Sequence, residues 1–166
     1  MVNSYLASRP DPAPILVLGL GDTRLSDDGV GPALLDQLSS SALRWEGQVE
    51  FMDGGTQGLA LLGRLSGRRV LIIVNAVKTG APPGTVHRMT LGELRSMNPG
   101  QAGAAHEGDA GELLAAAQRL DELPDRLFVI AVEPKKIATG LGLSAPVKRA
   151  IPHASKQVHE LLTQLC

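Results

Sequence analysis

Polar side chains that could bind a cation follow three predicted strands of this chain. Asp22 and Asp28 follow the first apolar run, Asp53 ends the second and Asn75 ends the third. Because the carboxyl ends of parallel strands meet at one edge of a sheet, these groups would converge there. With His106 from a later loop, that edge would offer carboxylate, amide and imidazole donors, which suit a borderline metal such as nickel or zinc.

Each of these residues also has a purely structural interpretation. An acid such as Asp28 is favourable in the first turn of a helix. Asp53, which precedes two glycines, and Asn75 both fit turn chemistry. His106 stands beside Glu107 in a polar loop, where a histidine is usually only solvated. From the residues alone, a metal site and this structural alternative both remain open.

The elements that must position these groups alternate along the chain. The apolar run 15–18 leads through Gly19 and Gly21 into a helical pattern over 28–41, the first half of a βαβ unit. A second helix should bury Leu59, Leu61, Leu62 and Leu65, and Ser144 should cap a last helix over 145–165. Strands are predicted at residues 15–19, 49–53, 69–75, 85–89 and 127–132.

This alternation predicts a single-domain three-layer α/β/α sandwich with a mainly parallel, five-stranded twisted sheet. The run 69–75 is almost wholly apolar, as expected for a central strand buried on both faces. The short strand 85–89 is expected at an edge, antiparallel to its neighbour. Residues 1–13 are predicted to form an extended arm and residues 14–166 the domain. The loop 98–108, rich in glycine and alanine, is predicted to be mobile without ligand.

Composition excludes several function classes. The 166 residues carry a net charge of −1 and only 2% aromatics, which argues against a nucleic-acid partner. The one cysteine, Cys166, permits neither an intrachain disulfide nor a thiolate metal cluster. No apolar run approaches the ~20 residues that span a bilayer, and no secretory signal pattern is present. We therefore expect a cytoplasmic monomer without membrane insertion.

A nucleotide-binding enzyme is another function that this fold could support. Gly19 and Gly21 match the first two glycines of the dinucleotide fingerprint, but Arg24 occupies the third position. No phosphate-binding GxxxxGK motif occurs in the chain. The sequence therefore disfavours a nucleotide, and no organic cofactor is expected.

A set of short motifs resembles the hydrogenase maturation proteases, the endopeptidases that trim the C-terminus of nickel–iron hydrogenase large subunits. The motifs occur in family order across about residues 15–160, and jointly they are specific. They are Gly19-Leu20-Gly21-Asp22, Asp27-Asp28-Gly29-Val30-Gly31, Asp53-Gly54-Gly55-Thr56-Gln57-Gly58-Leu59, Val74-Asn75-Ala76-Val77, Gly80-Ala81-Pro82-Pro83-Gly84, His106 ahead of Leu113-Leu114, Glu133-Pro134 and Gly140-Leu141-Gly142-Leu143-Ser144.

The resemblance implies an activity, a metal and a partner. Such an enzyme would remove a C-terminal peptide from the nickel-loaded large-subunit precursor and use the substrate's own nickel for recognition. Other divalent cations could occupy the same site. Carried over by position, the catalytic and metal-binding residues are Asp28, Asn75 and His106, with Asp53 and Asp22 as substrate-binding residues.

Two positions depart from the family pattern. The family usually has asparagine where Asp22 stands, and it has aspartate where Asn75 stands. An amide has the shape of a carboxylate but no charge, so it is a weaker ligand for a divalent cation. The alternative function is therefore a catalytically impaired homologue that binds the precursor without cleaving it.

Overall fold

A five-stranded sheet forms the centre of the molecule in the computed structural model, which describes residues 11–96 and 110–166. The strand order is β2-β1-β3-β5-β4. All neighbouring pairs are parallel except β4 with β5, which is antiparallel. β4 is an edge strand, as predicted. The strands are β1 (Ile15–Leu20), β2 (Val49–Gly55), β3 (Val70–Ala76), β4 (Val86–Met89) and β5 (Arg126–Val132).

Helices cover both faces of this sheet. The α-helices are α1 (Val30–Ser39), α2 (Leu62–Leu65), α3 (Leu91–Ser96), α4 (Ala110–Arg119) and α5 (Ala145–Leu165). Short 3₁₀ turns lie at Ser26–Gly29, Ala42–Trp45 and Gly58–Leu61. Apolar residues of α1 and α5 pack with Val17 and Ile72 in one core, whereas α4 and Leu65 pack with Leu71 in a second. The predicted three-layer α/β/α fold is therefore confirmed.

β1 and β3 owe their central position to side chains that are apolar on both faces. Every residue of β1 is buried, and Val70 to Val74 of β3 are buried as well. Alternate residues of each strand enter the two different cores. A strand with this pattern loses stability at a solvated edge, so the two strands lie side by side inside the sheet.

Three local predictions were wrong. The first helix begins with a 3₁₀ turn, and the α-helix proper starts only at Val30. Leu59 is 48% exposed, because residues Gly58–Leu61 also form a 3₁₀ turn and do not continue the helical apolar face. The spacing of Leu113, Leu114, Ala117 and Leu120 predicts one apolar helix face, but Leu120 is 61% exposed because α4 ends at Arg119.

Two groups of predicted features lie outside the described residues. The first is the larger part of the predicted arm over residues 1–13. The second is the loop 98–108 with His106. Within the described ranges, no helix is long and apolar enough to span a membrane.

Candidate functional site

Two glycines bring the start of α1 into contact with the ends of the central strands. A Cβ on Gly21, whose φ is +135°, would lie 1.8 Å from the carbonyl oxygen of Asp28. A Cβ on Gly31 would lie 2.2 Å from the Leu20 carbonyl oxygen and 2.8 Å from that of Val74. Only glycine permits this approach. The 3₁₀ turn that carries Asp28 is therefore held against the carboxyl ends of β1 and β3.

Asp28 and Asn75 lie at this corner, as the sequence predicted. The Asp28 side chain is partly exposed, and its Oδ2 accepts a 2.8 Å hydrogen bond from the main-chain N–H of Asp22. Asn75 is the penultimate residue of β3, lies opposite Ala131 of β5, and is also partly exposed. The 3₁₀ turn with Asp28 contacts β3 directly, so the two residues belong to segments that come together at the carboxyl ends of the central strands.

Asp22 lies beside Asp28 but has a different set of partners. Its two carboxylate oxygens accept bonds from Arg24 Nε at 2.9 Å and Arg24 Nη2 at 2.8 Å. The main-chain N–H of Arg24 donates to the same carboxylate at 2.9 Å. The hydrogen bond and the charge of Asp22 together raise the pKa of Arg24. This pair shapes the turn after β1, and the Asp22 charge is compensated locally.

Asp53 is exposed near the end of β2, and its Oδ1 accepts a 2.9 Å hydrogen bond from the N–H of Gly55. This contact is the one expected of a turn-forming aspartate. The main-chain N–H of Gly21 also donates to the Gly55 carbonyl at 3.0 Å. Asp53 therefore lies near the carboxyl end of β2, and the last residue of this strand is bonded to the loop after β1.

His106 lies outside the described residues, so of the three predicted ligands the structure describes Asp28 and Asn75. In residues 11–96 and 110–166, no group of three or more His, Cys, Asp or Glu side chains is arranged to hold a metal ion. Asn75 is not one of those residue types, which leaves Asp28 as the acidic ligand of the predicted set.

A buried carboxylate that the site prediction omitted stands next to Asp28. Asp27 is fully buried, and its carboxylate accepts four hydrogen bonds from the loop between β5 and α5. The donors are Lys135 N at 2.8 Å, Lys136 N at 3.0 Å, Ser144 N at 2.7 Å and Ser144 Oγ at 2.8 Å. Ser144 precedes α5, but the predicted cap is wrong, because its side-chain oxygen accepts no bond from the helix N–H groups and its hydroxyl donates to Asp27.

These bonds determine the protonation of Asp27. Burial favours the neutral acid and would raise its pKa. The hydrogen bonds from Ser144, Lys136 and Lys135 favour the charged form and outweigh burial, so the pKa of Asp27 lies below its ordinary value. Asp27 is therefore a carboxylate at neutral pH, held by main-chain dipoles and one hydroxyl.

Glu133 is a second buried acid, and its hydrogen-bond donors lie on the loop that follows Asn75 and β3. Its side chain is buried and accepts bonds from Thr79 Oγ1 at 2.7 Å, Thr79 N at 2.8 Å and Gly80 N at 3.2 Å. His87 Nε2 lies 3.3 Å from the same threonine hydroxyl. Because the hydroxyl proton goes to Glu133, that hydroxyl accepts its bond from His87. Glu133 thus fixes the course of the chain leaving β3.

Comparison with known proteins agrees with this geometry. Residues 34–161 match the family model of the hydrogenase maturation proteases. The chain belongs to the hydrogenase maturation protease family. It is 33% identical over 157 residues to the hydrogenase expression/formation protein HupD of Thiocapsa roseopersicina, covering 94% of this chain and 70% of HupD.

Two comparisons with Escherichia coli proteins extend the match to the fold. The hydrogenase 2 maturation protease is 32% identical over 146 residues, which is 87% of each protein. The solved structure of the maturating endopeptidase HybD superposes with a TM-score of 0.76 at 28% identity, covering 90% of this chain and 92% of HybD. As a member of the maturation protease family, this chain is a hydrolase of the peptidase class that serves hydrogenase maturation.

Two features of the sequence indicate Asp27 and Glu133, the buried acids of this maturation protease that the site prediction did not include. Asp27 precedes Asp28, and of two adjacent acids at a helix start one can face the core. Glu133 directly follows a strand whose last residues are all buried. Neither signal names the hydrogen-bond donors, which come from distant parts of the chain.

Proposed function

We propose that this chain is the endopeptidase that removes a C-terminal peptide from the nickel-loaded large-subunit precursor of a nickel–iron hydrogenase. The observation that carries the proposal is the position of Asp28. Its carboxylate is partly exposed and bonded to the N–H of Asp22 just after β1, in a 3₁₀ turn that contacts β3, and the chain has the fold of the maturation endopeptidases. Ligands of open α/β sheets bind at this edge.

The nickel belongs to the precursor, and Asp28, Asn75 and His106 are the residues proposed to meet it. Asp28 Oδ1 accepts no hydrogen bond from the described residues, so that oxygen has lone pairs for a cation. The Asn75 amide supplies a neutral oxygen, and an imidazole from His106 would complete a mixed oxygen and nitrogen set suited to nickel. Other divalent cations would compete for the same groups.

A divalent nickel polarises a carbonyl bound to it, so peptide cleavage needs no serine or cysteine nucleophile from the protease. The requirement for nickel in the substrate also provides a checkpoint. A precursor without nickel lacks one partner of the site and would not be held at Asp28. Cleavage would then follow metal insertion in time.

Asp53 and Asp22 are proposed to position the precursor. Asp53 is exposed near the end of β2, and its Oδ2 accepts no hydrogen bond from the described residues. Asp22 acts together with Arg24, since both oxygens of that carboxylate are bound by the guanidinium. We expect this pair to present a dipole and not a free charge to the substrate.

One residue favours a second candidate function. With Asn75 in place of an aspartate, the proposed ligand set carries one formal negative charge, that of Asp28. A protein with this site could hold the nickel-loaded precursor without cleaving it. The two functions share the partner and the surface, and they differ only in the fate of the peptide bond.

The deciding experiment incubates the purified chain with the large-subunit precursors of the source organism's hydrogenases, each prepared with and without nickel. Intact mass spectrometry then measures the C-terminus. The proposed endopeptidase shortens the nickel-loaded form and leaves the nickel-free form intact. Stable binding of the loaded precursor with an unchanged mass would establish the binding-only function. A chain that neither binds nor cleaves any precursor would refute both.

A further inference from the structure

The loop between β5 and α5, residues 133–144, is fixed along its length to the loop that carries Asp27 and Asp28. Asp27 holds the two ends of this β5–α5 loop through the N–H groups of Lys135, Lys136 and Ser144. In its middle, Gly140 N donates to the Arg24 carbonyl at 2.9 Å. The Ser26 N–H returns a 2.9 Å bond to the Gly140 carbonyl. The β5–α5 loop is therefore tied to residues 24–27 at both ends and in its middle.

Leu141 stands out on this fixed loop. Its side chain is 87% exposed, the highest value among the strongly exposed large apolar residues in the described part of the chain. Gly140 and Gly142 flank it with φ values of +157° and +87°, which side chains other than glycine rarely adopt. A Cβ on Gly140 would also approach the Ser26 hydroxyl to 3.1 Å, so this turn is closely packed.

A fixed and exposed leucine is suited to binding. An apolar side chain held in water gains free energy when a partner covers it. Because the loop is already ordered by main-chain bonds, little conformational entropy remains to be lost on binding. The same arrangement brings no benefit to the free protein, since Leu141 belongs to neither apolar core.

The exposed charges on this loop, and on the loop after β3 that bonds to Glu133, specify the chemistry of the partner. Lys135 and Lys136 are exposed on the same loop, and Lys78 is exposed on the loop that follows β3. None of these three lysines takes part in an ion pair within residues 11–96 and 110–166. The surface therefore fits an apolar side chain that is flanked by carboxylates.

We propose that Leu141, Lys135 and Lys136 form a docking surface for the hydrogenase large-subunit precursor, separate from the groups that meet its nickel. This inference rests on the proposed function. The occupant follows from continuity: the β5–α5 loop is bonded to residues 24–27, immediately before Asp28. A protein whose chain reaches Asp28 must pass beside this loop, and the lysines would attract an acidic segment of that protein.

The chain offers a matched control. Leu43 is 85% exposed, in the 3₁₀ turn Ala42–Trp45 that precedes β2, and therefore lies at the opposite edge of the sheet. Leu43→Ser and Leu141→Ser remove the same apolar surface from an exposed leucine. They differ only in their distance from Asp28, so a general effect of lost apolar surface would appear in both variants.

The test measures binding and cleavage of the nickel-loaded precursor by the full chain and its variants. Binding is followed by biolayer interferometry with immobilised precursor, and cleavage by intact mass. Leu141→Ser should weaken binding and raise KM by about tenfold or more, as expected for an apolar anchor at the centre of an interface, with kcat nearly unchanged. Leu43→Ser should match the wild type. Lys135→Glu with Lys136→Glu should weaken binding further and reduce its dependence on salt.

Each outcome is decisive. Cleavage by the wild type together with unchanged KM and affinity in Leu141→Ser would overturn the docking surface and leave the proposed function standing. Equal losses in Leu43→Ser and Leu141→Ser would also overturn it. Self-association of the wild type that Leu141→Ser abolishes, without an effect on the precursor, would assign the surface to a second copy of the chain. Absence of any precursor binding by the wild type would refute both proposals.

Discussion

Buried charges lie at both edges of the sheet, and the two edges hold them in different ways. At the amino edge, the Arg68 guanidinium is buried and forms an ion pair with Glu50. Arg68 also donates to the carbonyls of Ala13 at 2.7 Å and Arg64 at 3.1 Å. At the carboxyl edge, the buried acids Asp27 and Glu133 are held by main-chain N–H groups and hydroxyls.

The difference lies in what each edge leaves for a partner. At the amino edge, positive and negative side chains neutralise one another, and Arg64 adds a second cation to Glu50 at 2.8 Å. At the carboxyl edge, the bonds to Asp27 use only the main chain of Lys135 and Lys136, so their ammonium groups remain in solvent. Charge compensation by the backbone thus gives a rigid edge with side chains still available for binding.

The largest expected effect is on cleavage, and it distinguishes Asp28, which is proposed to act in the site, from Asp27, which is structural. Asp28→Ala should reduce cleavage of nickel-loaded precursor by at least about a hundredfold, since even partners outside the first ligand shell commonly contribute 10- to 100-fold. Its unfolding temperature should fall by only about 2–4 °C, because the one lost bond, to Asp22 N, contributes about 1 kcal/mol. Single-turnover cleavage and thermal unfolding measure the two quantities. Full activity in a folded Asp28→Ala protein would remove Asp28 from the site.

The second prediction concerns stability at the same edge. Asp27→Ala leaves three buried main-chain N–H groups without an acceptor and should cost about 3–5 kcal/mol in the free energy of unfolding. Urea unfolding at neutral pH measures this loss. Asp36→Ala, which removes an exposed acid from α1, is the control and should change stability by less than about 0.5 kcal/mol. Equal losses in the two variants would contradict the role of Asp27 as the clamp of the β5–α5 loop.

A smaller effect follows from the depressed pKa of Asp27. Its contribution to stability is fully present above the unfolded-state pKa of about 3.9 and is lost as pH falls through the lower folded-state pKa. The advantage of the wild type over Asp27→Asn should therefore shrink as pH is lowered below about 4. Urea unfolding from pH 7 to pH 3 measures it.

The difference in free energy of unfolding between wild type and Asp27→Asn reports on the carboxyl edge of the sheet and not on the amino edge. Burial would raise the pKa of Glu50, but Arg68 and Arg64 hold it below its ordinary value. The amino edge therefore also loses stability in acid, but it does so equally in both proteins and cancels in the difference. A difference that stays constant over the whole pH range would show that Asp27 is not bound more tightly as a carboxylate.

Most of the fold followed from local patterns in the sequence. The apolar runs of β1 and β3 require burial on both faces, which fixes them inside the sheet and predicts helices on either side. The polar residues after each run then predicted that Asp28 and Asn75 belong to segments at the carboxyl ends of β1 and β3, where both segments lie. The apolar pattern predicted these strands because it is a property of a few consecutive residues and can be recognised without knowing the rest of the fold.

The parts that the sequence did not predict depend on contacts between distant segments. The donors to Asp27 lie 108 to 117 residues further along the chain, so nothing near Asp27 distinguishes it from Asp28. Leu59 was misplaced because a 3₁₀ turn has three residues per turn and changes which side chains face inward. Both residues lie in 3₁₀ turns, where an α-helical pattern does not predict which side chains face inward.

The most direct test of the proposed site replaces the side-chain amide of Asn75, at the end of β3, with a carboxylate. Cleavage of nickel-loaded precursor is measured by intact mass for the wild type, for Asn75→Asp, and for Asn75→Asp combined with Asp28→Ala. A second carboxylate beside Asp28 should raise the cleavage rate at limiting precursor by about tenfold or more, since ~1.4 kcal/mol of added attraction suffices. The combined variant should lose this gain. A folded Asn75→Asp protein with the nickel affinity and cleavage rate of the wild type would contradict the assignment of Asn75 to the metal-binding site.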